Sequence, residues 1–395
     1  MSAWKPEVLL LVESPFAAYD AERFGFHAES QALDWTVADL TALIKPEFWA
    51  AYGRETPVDP RVHVISTKDQ FRELLAGRLF DVAIDEIGSS GDAKAVRRMI
   101  IAKRLPRVRL RLGLLPGDLL IQRSIRERWI ARRSQFGMLR LARNILLIIP
   151  RRLSSKIPPP DIALGSGSET QKDVPRNCPI IWAQSFDYEK ARILDASNEQ
   201  QKSSGAVFLD QNLGYHPDQA HSSLLSPVDV DRYYPQLREV FDTLERNGLE
   251  VSVALHPKAA SDDVIDLFGE RNVVRGSSQQ LLRDAALVLC HASASVSYAV
   301  IWRKPVLFLS TNELERSWYH GHIHEMARIL KRPILNIDEL GSLTPKDLRS
   351  MIDRSVDEVA YAEYEERFIR SRYSPEGGLW EVFAKGLTEI LAWRR

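Results

Sequence analysis

The chain has 395 residues, long enough for two or three domains with a substantial core, and its 45% apolar and 27% charged residues are typical of a soluble globular protein. No stretch approaches the roughly 18–20 apolar residues of a membrane span, and the N-terminal run VLLLV is too short for a secretory signal and meets Glu13 at once. The two cysteines, Cys178 and Cys290, adjoin apolar runs, which favours buried thiols in a reducing compartment over a disulfide or a metal site. A secreted or membrane-crossing protein is therefore not expected.

In the first half of the chain, apolar runs alternate with amphipathic patterns. The apolar runs predict strands over 7–14, 61–66, 80–88, 107–117 and 178–188, and the amphipathic patterns predict helices over 29–44, 68–77 and 93–105. Residues 150–177, rich in Pro, Ser and Gly, predict a flexible loop, and the polar residues 195–205 predict a linker.

The same alternation restarts after the linker. Strands are predicted over 206–212, 250–258, 286–292, 305–311 and 332–337, and helices over 230–248, 279–285, 296–303 and most of the tail from 343. Continuous apolar strands separated by helices indicate parallel sheets covered on both faces. We therefore expect an α/β protein of two Rossmann-like domains, 1–195 and 205–395, facing each other across a cleft that holds the site, because such sheets bind ligands where their strands end.

Two strand ends in the second half carry residues suited to an anion. Cys290 and His291 end one predicted strand and lead to Ser293 and Ser295 at the start of a helix, where backbone N–H groups and the helix dipole favour negative charge. The segment HPK, from His256 to Lys258, ends another strand. Helix capping by the serines and a surface turn at the His-Pro pair are the alternatives.

These motifs carry a resemblance to a known family. The segments HPKA and LLRDAALVLCHASASVSYAVIWRKPVLFL resemble the donor half of GT-B glycosyltransferases, and more narrowly bacterial capsule and O-antigen enzymes with a His-Pro motif and a later Ser motif, including polysialyl- and Kdo-transferases that use CMP-sugars. The segments AVFLDQNLGYHPD and IIWAQSFDYEKAR resemble surface-polysaccharide biosynthesis proteins, so the resemblance covers about residues 178–310.

The resemblance implies roles for individual side chains. His256 is expected to contact the donor phosphate and to offset charge on the leaving group, and Ser293 and Ser295 to bind the nucleotide phosphate. Lys258 and His291 lie next to these motifs and are expected to assist. Three further donor-binding candidates end the first strand of the second half and are expected to face the cleft: Asp210, Gln211 and Asn212.

A transferase also needs a base that deprotonates the acceptor hydroxyl. In FDVAIDEIGSSG, Asp85 and Glu86 end a buried strand and resemble the acid-acid-Gly motif of bacterial sialyltransferases, with Ile87 inserted before Gly88. Strand alternation points the two side chains to opposite faces, and we favour Glu86 because Asp85 is also placed to cap the next helix. Glu13, which ends the first strand, competes for the role, and a salt-bridged or capping carboxylate is the alternative for each acid.

No essential metal or cofactor is expected. The segment HGHIH holds His320, His322 and His324, but alternate residues on a helix do not share a face, and no Cys or carboxylate cluster accompanies them in the sequence. The acids of the segment SDD (261–263) are better explained as a helix cap.

A strongly basic segment, the basic belt, is hidden by the formal net charge of zero. Residues 97–156 contain 17 Lys or Arg against two acids, Asp118 and Glu127, a net charge of +15. Its mixture of Leu, Ile and aromatic residues with arginine predicts an amphipathic helix that lies on the anionic cytoplasmic face of the inner membrane. Packing of a basic face on the protein's own core is the alternative, and no nucleic-acid motif is present.

The sequence as a whole predicts a metal-independent GT-B glycosyltransferase of bacterial surface-polysaccharide assembly, as in capsule, O-antigen or lipopolysaccharide pathways. It would move a sugar from a nucleotide donor, with a CMP-sugar favoured, to a lipid-linked glycan. The alternatives are a nucleotide-sugar epimerase, a polyol-phosphate transferase on the same fold, or a non-catalytic assembly partner. A cytoplasmic protein, peripheral on the membrane, follows from this hypothesis.

Overall fold

The computed structural model describes residues 4–26, 32–53, 59–118, 157–196, 205–215, 226–256, 259, 263–276 and 278–394. They form two compact units. Within the described residues, unit 1 consists of 4–112, 157–186 and 370–394, and unit 2 lies within 113–118 and 187–369. The end of the chain therefore packs in unit 1 with the first third, although it follows unit 2 in sequence.

Unit 1 is built on a parallel sheet of seven strands in the order β3-β2-β1-β4-β5-β6-β7. The strands are β1 (Glu7–Val12), β2 (Asp34–Asp39), β3 (Val62–Val64), β4 (Val82–Glu86), β5 (Arg107–Arg111), β6 (Ile162–Gly165) and β7 (Ile180–Trp182). Their helices are α1 (Ala18–Arg23), α2 (Thr41–Ile44), α3 (Pro46–Tyr52), α4 (Lys68–Gly77), α5 (Gly91–Ala102) and α6 (Thr170–Asp173), with the C-terminal helix (Leu379–Arg394).

Local sequence explains where the helices of unit 1 begin. Thr67 caps α4, because its Oγ1 accepts a hydrogen bond from the backbone N–H of Gln70. The backbone N–H of Thr67 in turn donates to the side-chain Oε1 of Gln70. Ser90 caps α5 in the same way through the N–H of Ala93 at 3.1 Å. The apolar stripes of α4 and α5 then pack on one face of the sheet, and the C-terminal helix packs on the other.

Two predictions for unit 1 are wrong. The predicted helix over 29–44 contains the strand β2, which pairs with β1. The residues from Trp35 to Ala38 are buried on both faces of the sheet, and this burial outweighs the helical spacing of the apolar residues. The predicted loop over 150–177 contains β6 and α6. Gly165 in β6 is needed there because a Cβ atom would lie 2.5 Å from the Thr170 side chain. The other predicted strands of unit 1 and the helices near 68–77 and 93–105 are confirmed.

Unit 2 repeats the arrangement with six parallel strands in the order β10-β9-β8-β11-β12-β13. They are β8 (Ala206–Leu209), β9 (Val251–Leu255), β10 (Asn272–Arg275), β11 (Leu287–Cys290), β12 (Val306–Ser310) and β13 (Ile334–Asn336). The helices are α7 (Phe186–Ala196), α8 (Val230–Arg246), α9 (Asp263–Asp266), α10 (Ser278–Asp284), α11 (Val296–Ile301), α12 (Tyr319–Leu330), α13 (Pro345–Met351) and α14 (Glu358–Tyr364).

All five strands predicted for the second half are confirmed, and β10 was missed because it is a short strand whose residues are only partly buried. In each unit the strand order reverses once, between β1 and β4 and between β8 and β11. Such a reversal opens a crevice at the carboxyl ends of the two strands, where Rossmann-like sheets bind ligands.

Candidate functional site

The carboxylate at the end of the first strand of unit 2 accepts hydrogen bonds from backbone N–H groups. Asp210 follows β8 and is 7% exposed. Its Oδ1 accepts a hydrogen bond from the N–H of Asn212 at 2.8 Å, and its Oδ2 accepts one from the N–H of His256 at 3.2 Å. Burial raises the pKa of Asp210 to about 6, although these N–H donors and that of Gln211 lower it. Asp210 therefore holds the end of β9 beside the end of β8.

Gln211 joins the two strands that flank the reversal of unit 2. Its Nε2 donates to the carbonyl oxygen of Ala292 at 2.8 Å, and the N–H of Ala292 donates to its Oε1 at 2.7 Å. This pair of bonds links the loop after β8 to the loop after β11. The candidate residues predicted on β8, β9 and β11 are thus brought to one edge of the sheet, as their strand-end positions predicted.

His291 lies at this edge but is fully buried. Its Nδ1 is 2.7 Å from the carbonyl oxygen of Leu309. A carbonyl oxygen can only accept, so Nδ1 carries the proton and donates. The Nε2 of the neutral ring therefore accepts a hydrogen bond from the hydroxyl of Tyr233 at 2.7 Å. Burial lowers the pKa of His291 to about 4, which keeps the ring neutral near pH 7. Both ring nitrogens are occupied, so His291 positions β11 in this structure and does not present a nitrogen to a ligand.

The serines of the β11 loop are partly exposed. The N–H of Ser295 donates to the Oγ of Ser293 at 3.2 Å, and the side chain of Ser295 does not cap α11. The next three N–H groups bond to carbonyl oxygens of this loop, from Val296 to Ser293, from Ser297 to Ala294 and from Tyr298 to Ser295. The hydroxyls, more than the first-turn N–H groups, are therefore the donors that this loop offers.

The three remaining candidates of unit 2 are Asn212, His256 and Lys258. Asn212 is buried with φ of 49°, and its Nδ2 donates to the carbonyl oxygen of Tyr215. Its Oδ1 has no hydrogen-bond partner among the residues that the structure describes. His256 is half-buried at the end of β9, and Lys258 lies outside the described residues.

The acids of unit 1 meet in a pocket of about 600 Å³ lined by the carboxyl ends of β1 and β4, by β5 along its length and by residues 157–160 before β6. The lining includes all three predicted base candidates and four arginines that the sequence reading did not assign to a site: Glu13, Asp85, Glu86, Arg97, Arg107, Arg109 and Arg111. Three of these arginines alternate along β5 in the run RVRLR. That alternation was the available signal, because it places them on one face of the strand.

Asp85 is neutralised by two arginines. Arg97 binds it with two hydrogen bonds, from Nε at 2.6 Å and from Nη2 at 2.8 Å. Arg107 approaches its Oδ2 at 3.3 Å and also donates to the carbonyl oxygens of Pro158 and Pro159. Asp85 is thus an ion-paired carboxylate and does not cap α5, a role that Ser90 fills.

Glu13 is also held by partners. Its Oε1 lies 2.9 Å from the Lys45 ammonium, and its Oε2 accepts from the N–H of Gly88 at 2.6 Å. A Cβ at Gly88 would lie 2.9 Å from Oε1, so a larger residue there would displace the Glu13 carboxylate. The carboxylate therefore ties the end of β1 to the loop after β4.

Glu86 differs from these two acids. Within the described residues it forms no ion pair, and its Oε1 accepts a long hydrogen bond, 3.3 Å, from the N–H of Leu110. The surrounding protein raises the pKa of Glu86 to about 7 because it replaces part of the carboxylate's hydration, against the lowering effects of Leu110 N–H, Arg23 and Arg109. The side chain still reaches solvent, so a substrate hydroxyl has access to it.

The HGHIH segment lies on α12, where His322 is separated from its two neighbours as alternate helix positions predicted, but His320 and His324 share a face. His322 is buried, with Nδ1 bonded to the carbonyl oxygen of Pro116 at 2.9 Å. His320 and His324 lie on another face of α12, where both contact Glu315. The expectation that no carboxylate accompanies these histidines is wrong, because Glu315 is five residues before His320 and the fold brings it to both.

Part of the basic belt belongs to unit 1. Arg97, Arg107 and Arg111 are engaged with Asp85 and Asp173, so they serve internal ion pairs. Residues 119–156, the greater part of the belt, lie outside the described residues. No helix among the described residues is both long enough and apolar enough to cross a bilayer.

Comparison with known proteins adds a fold and no family. No protein-family model and no curated protein matches the chain. Among solved structures, the spinosyn forosaminyltransferase SpnP aligns with a TM-score of 0.52 at 12% identity, over 98% of this chain and 100% of that one. A putative UDP-N-acetylglucosamine 2-epimerase from Listeria monocytogenes gives 0.51 at 11%, over 98% and 95%, and S. aureus MnaA, solved with UDP, gives 0.51 at 10%, over 98% and 96%.

The chain has the GT-B fold. The predicted fold class of two Rossmann-like domains with parallel sheets is thereby confirmed. The GT-B structures that align with the chain include transferases and epimerases, so the narrower resemblance to CMP-sugar transferases stays a prediction.

Proposed function

We propose that the protein acts on a nucleotide-activated sugar, and that it is a glycosyltransferase of bacterial surface-polysaccharide assembly with a CMP-sugar as the favoured donor. One observation carries the proposal. The polar residues that end β8, β9 and β11 are joined at the strand-order reversal of unit 2, by Asp210 to the backbone of His256 and by Gln211 to Ala292. Ligand binding at this position of a Rossmann-like sheet is a general property of the fold.

Donor binding is assigned to unit 2. Ser293 and Ser295 supply hydroxyl donors to the nucleotide phosphate, and the imidazole of His256 offsets the negative charge that grows on it as the glycosidic bond breaks. The Oδ1 of Asn212, which has no hydrogen-bond partner in the described part of the chain, is a buried acceptor at the same edge. Asp210 and Gln211 hold these groups in position through their hydrogen bonds to the backbone of His256 and Ala292. The Lys258 ammonium is proposed to bind the same phosphate.

Proton transfer is assigned to Glu86 in unit 1. The acceptor oxygen attacks the anomeric carbon, its proton passes to a Glu86 carboxylate oxygen, and the bond from the anomeric carbon to phosphate breaks with the electron pair leaving on the nucleotide. A pKa of about 7 suits a base that works near neutral pH, because part of the population is deprotonated and the proton is still accepted readily. Asp85 and Glu13 lack this freedom because their carboxylates are held by Arg97 and Lys45.

The proposed chemistry needs no cofactor, since its charge stabilisation comes from imidazole and hydroxyl groups. The acceptor is proposed to be a lipid-linked glycan presented at the cytoplasmic face of the inner membrane. The basic belt supports this through its composition, and its residues beyond Asp118 would make the membrane contact, because three arginines before that point are engaged inside unit 1.

A thermal-shift screen with CMP, UDP, GDP and CDP tests the donor assignment. We expect one nucleotide to raise the melting temperature, by an amount that grows with its concentration, and His256→Ala to abolish the rise. His63→Ala is the matched control, because His63 is an exposed histidine on β3 of unit 1. If no nucleotide stabilises the wild type, or if His256→Ala responds as the wild type does, the donor assignment fails.

A nucleotide-sugar epimerase is the second candidate, since one aligned structure is described as a putative UDP-N-acetylglucosamine 2-epimerase. Product analysis separates the two: transfer extends a glycan, whereas epimerisation changes the free nucleotide sugar. Polyol-phosphate transfer from a CDP-alcohol would add phosphorus to the acceptor, whereas sugar transfer would not. A non-catalytic partner would tolerate Glu86→Ala.

A further inference from the structure

A cluster of one carboxylate and two imidazoles lies at the carboxyl edge of the unit 2 sheet. Glu315 belongs to the short turn after β12, and His320 and His324 are one helical turn apart on α12. The Nδ1 of His320 is 2.6 Å from Glu315 Oε2, and the Nε2 of His324 is 2.9 Å from the same oxygen. One potential ligand atom from each of the three residues lies within 4.8 Å of the others.

The surrounding structure holds the carboxylate in place. Ser310 ends β12, is fully buried, and donates from Oγ to Glu315 Oε1 at 2.5 Å. The N–H of Glu315 itself donates to the carbonyl oxygen of Thr311 at 2.9 Å. The two imidazole rings lie side by side, tilted by 38° with ring centroids 4.1 Å apart. Glu315 is thus oriented by a partner behind it, as carboxylate ligands of metal ions commonly are.

We propose that Glu315, His320 and His324 form a binding site for a divalent transition-metal ion of the Zn²⁺ class. Two imidazoles and one carboxylate are a ligand set that suits Zn²⁺, and hard cations such as Mg²⁺ prefer oxygen ligands. Ligands about 2.0–2.1 Å from a tetrahedral ion lie about 3.3 Å apart, so the two nitrogen–oxygen distances of 2.6 and 2.9 Å need to lengthen by less than 1 Å. The remaining position is left for water or for an oxygen of a ligand.

Accessibility fits such a site. The side chains of His320 and His324 are 49% and 45% exposed, and that of Glu315 is 29% exposed, so an ion reaches them without a change in the fold. His322 takes no part, since its ring is buried against Pro116. A pair of ordinary histidine–glutamate hydrogen bonds is the competing explanation, and it predicts no metal affinity beyond that of any exposed histidine. The proposal does not depend on the proposed transferase activity.

Calorimetric titration of the tag-free, chelator-treated full chain with ZnCl₂ tests the site. We expect one Zn²⁺ per chain, and Zn²⁺ should raise the melting temperature whereas Mg²⁺ should not. His320→Ala and His324→Ala should each weaken Zn²⁺ binding by more than about 100-fold, and Ser310→Ala by about 10-fold, the usual range for loss of a group that orients a ligand. His63→Ala should bind as the wild type does.

Two results would overturn the proposal: no Zn²⁺ binding by the wild type, or equal binding by the wild type and a His320→Ala/His324→Ala double variant. Circular dichroism of each variant without metal shows whether it folds. If an alanine variant does not fold, Glu315→Gln replaces it, because glutamine keeps hydrogen-bonding atoms but removes the charge, and Zn²⁺ affinity must still fall.

Discussion

The assignment of Glu86 as the base makes a prediction about pH that its two neighbouring acids do not share. Replacing Glu86 with glutamine keeps the size of the side chain and its bond from Leu110 N–H, so the fold of unit 1 should survive. The variant lacks a proton acceptor. We therefore expect the turnover number to fall by about 10²–10⁴-fold, the range that a positioned general base contributes, while nucleotide binding in unit 2 is unchanged.

The pKa of about 7 sets the shape of the pH profile. The fraction of Glu86 that is deprotonated is about one tenth at pH 6 and about nine tenths at pH 8. The wild-type rate should therefore rise about fivefold from pH 6 to pH 7, close to tenfold per pH unit at lower pH, and become level near pH 8. A carboxylate with an ordinary pKa would give a profile that is already level at pH 6.

The assay measures initial rates of transfer from pH 5.5 to 8.5 for the wild type, Glu86→Gln and Glu13→Gln. Glu13→Gln is the matched control, because Glu13 lines the same pocket but is paired with Lys45. Its rising limb should stay near pH 7. The reasoning is refuted if Glu86→Gln keeps more than one tenth of wild-type activity, or if Glu13→Gln loses the rising limb and Glu86→Gln does not.

Four further predictions concern other parts of the molecule. Arg109→Ala should move the rising limb of the rate profile to higher pH, because the positive charge of Arg109 lowers the pKa of Glu86. A rising limb at unchanged pH would argue against this electrostatic effect. Gln211→Leu should weaken nucleotide binding more than about tenfold with a smaller loss of stability, as measured by thermal shift, since it removes both bonds to Ala292. His291→Phe should destabilise the fold by about 2–4 kcal/mol in urea unfolding, because it leaves the Tyr233 hydroxyl and a backbone carbonyl unpaired. The His291 pKa is lowered from 6.5 to about 4 on folding, so its contribution is present above pH 6.5 and is lost as pH falls towards 4; the stability gap to the variant should narrow over that window. The chain should float with anionic liposomes at low salt and detach at high salt, and no binding at low salt would rule out the membrane hypothesis.

The apolar pattern alone predicted much of the fold. Strands such as β1, β8 and β12 are continuous apolar runs because both faces of a parallel sheet are covered, and that requirement is visible in the sequence. The pattern failed at β2, whose apolar spacing also fits a helix, and at β6, whose Pro- and Ser-rich surroundings hide a short buried strand. In both cases burial between neighbouring strands decided the structure, and neighbours distant in sequence are not part of a local pattern.

The sequence by itself also determined which residues stand at the strand ends, because the end of an apolar run marks an edge of its sheet: Asp210 and His256 in unit 2, and Glu86 in unit 1. Only the tertiary structure decided what each side chain does there. Arg97, twelve residues after Asp85, neutralises that acid, whereas Glu86 forms no ion pair with any residue that the structure describes. Contacts between distant segments also bury His291, which the sequence predicted as a donor-binding residue. They bring Glu315 to His320 and His324, for which the sequence had indicated no carboxylate partner. The charge, burial and pKa of a group depend on such partners, and the folded chain is what supplies them.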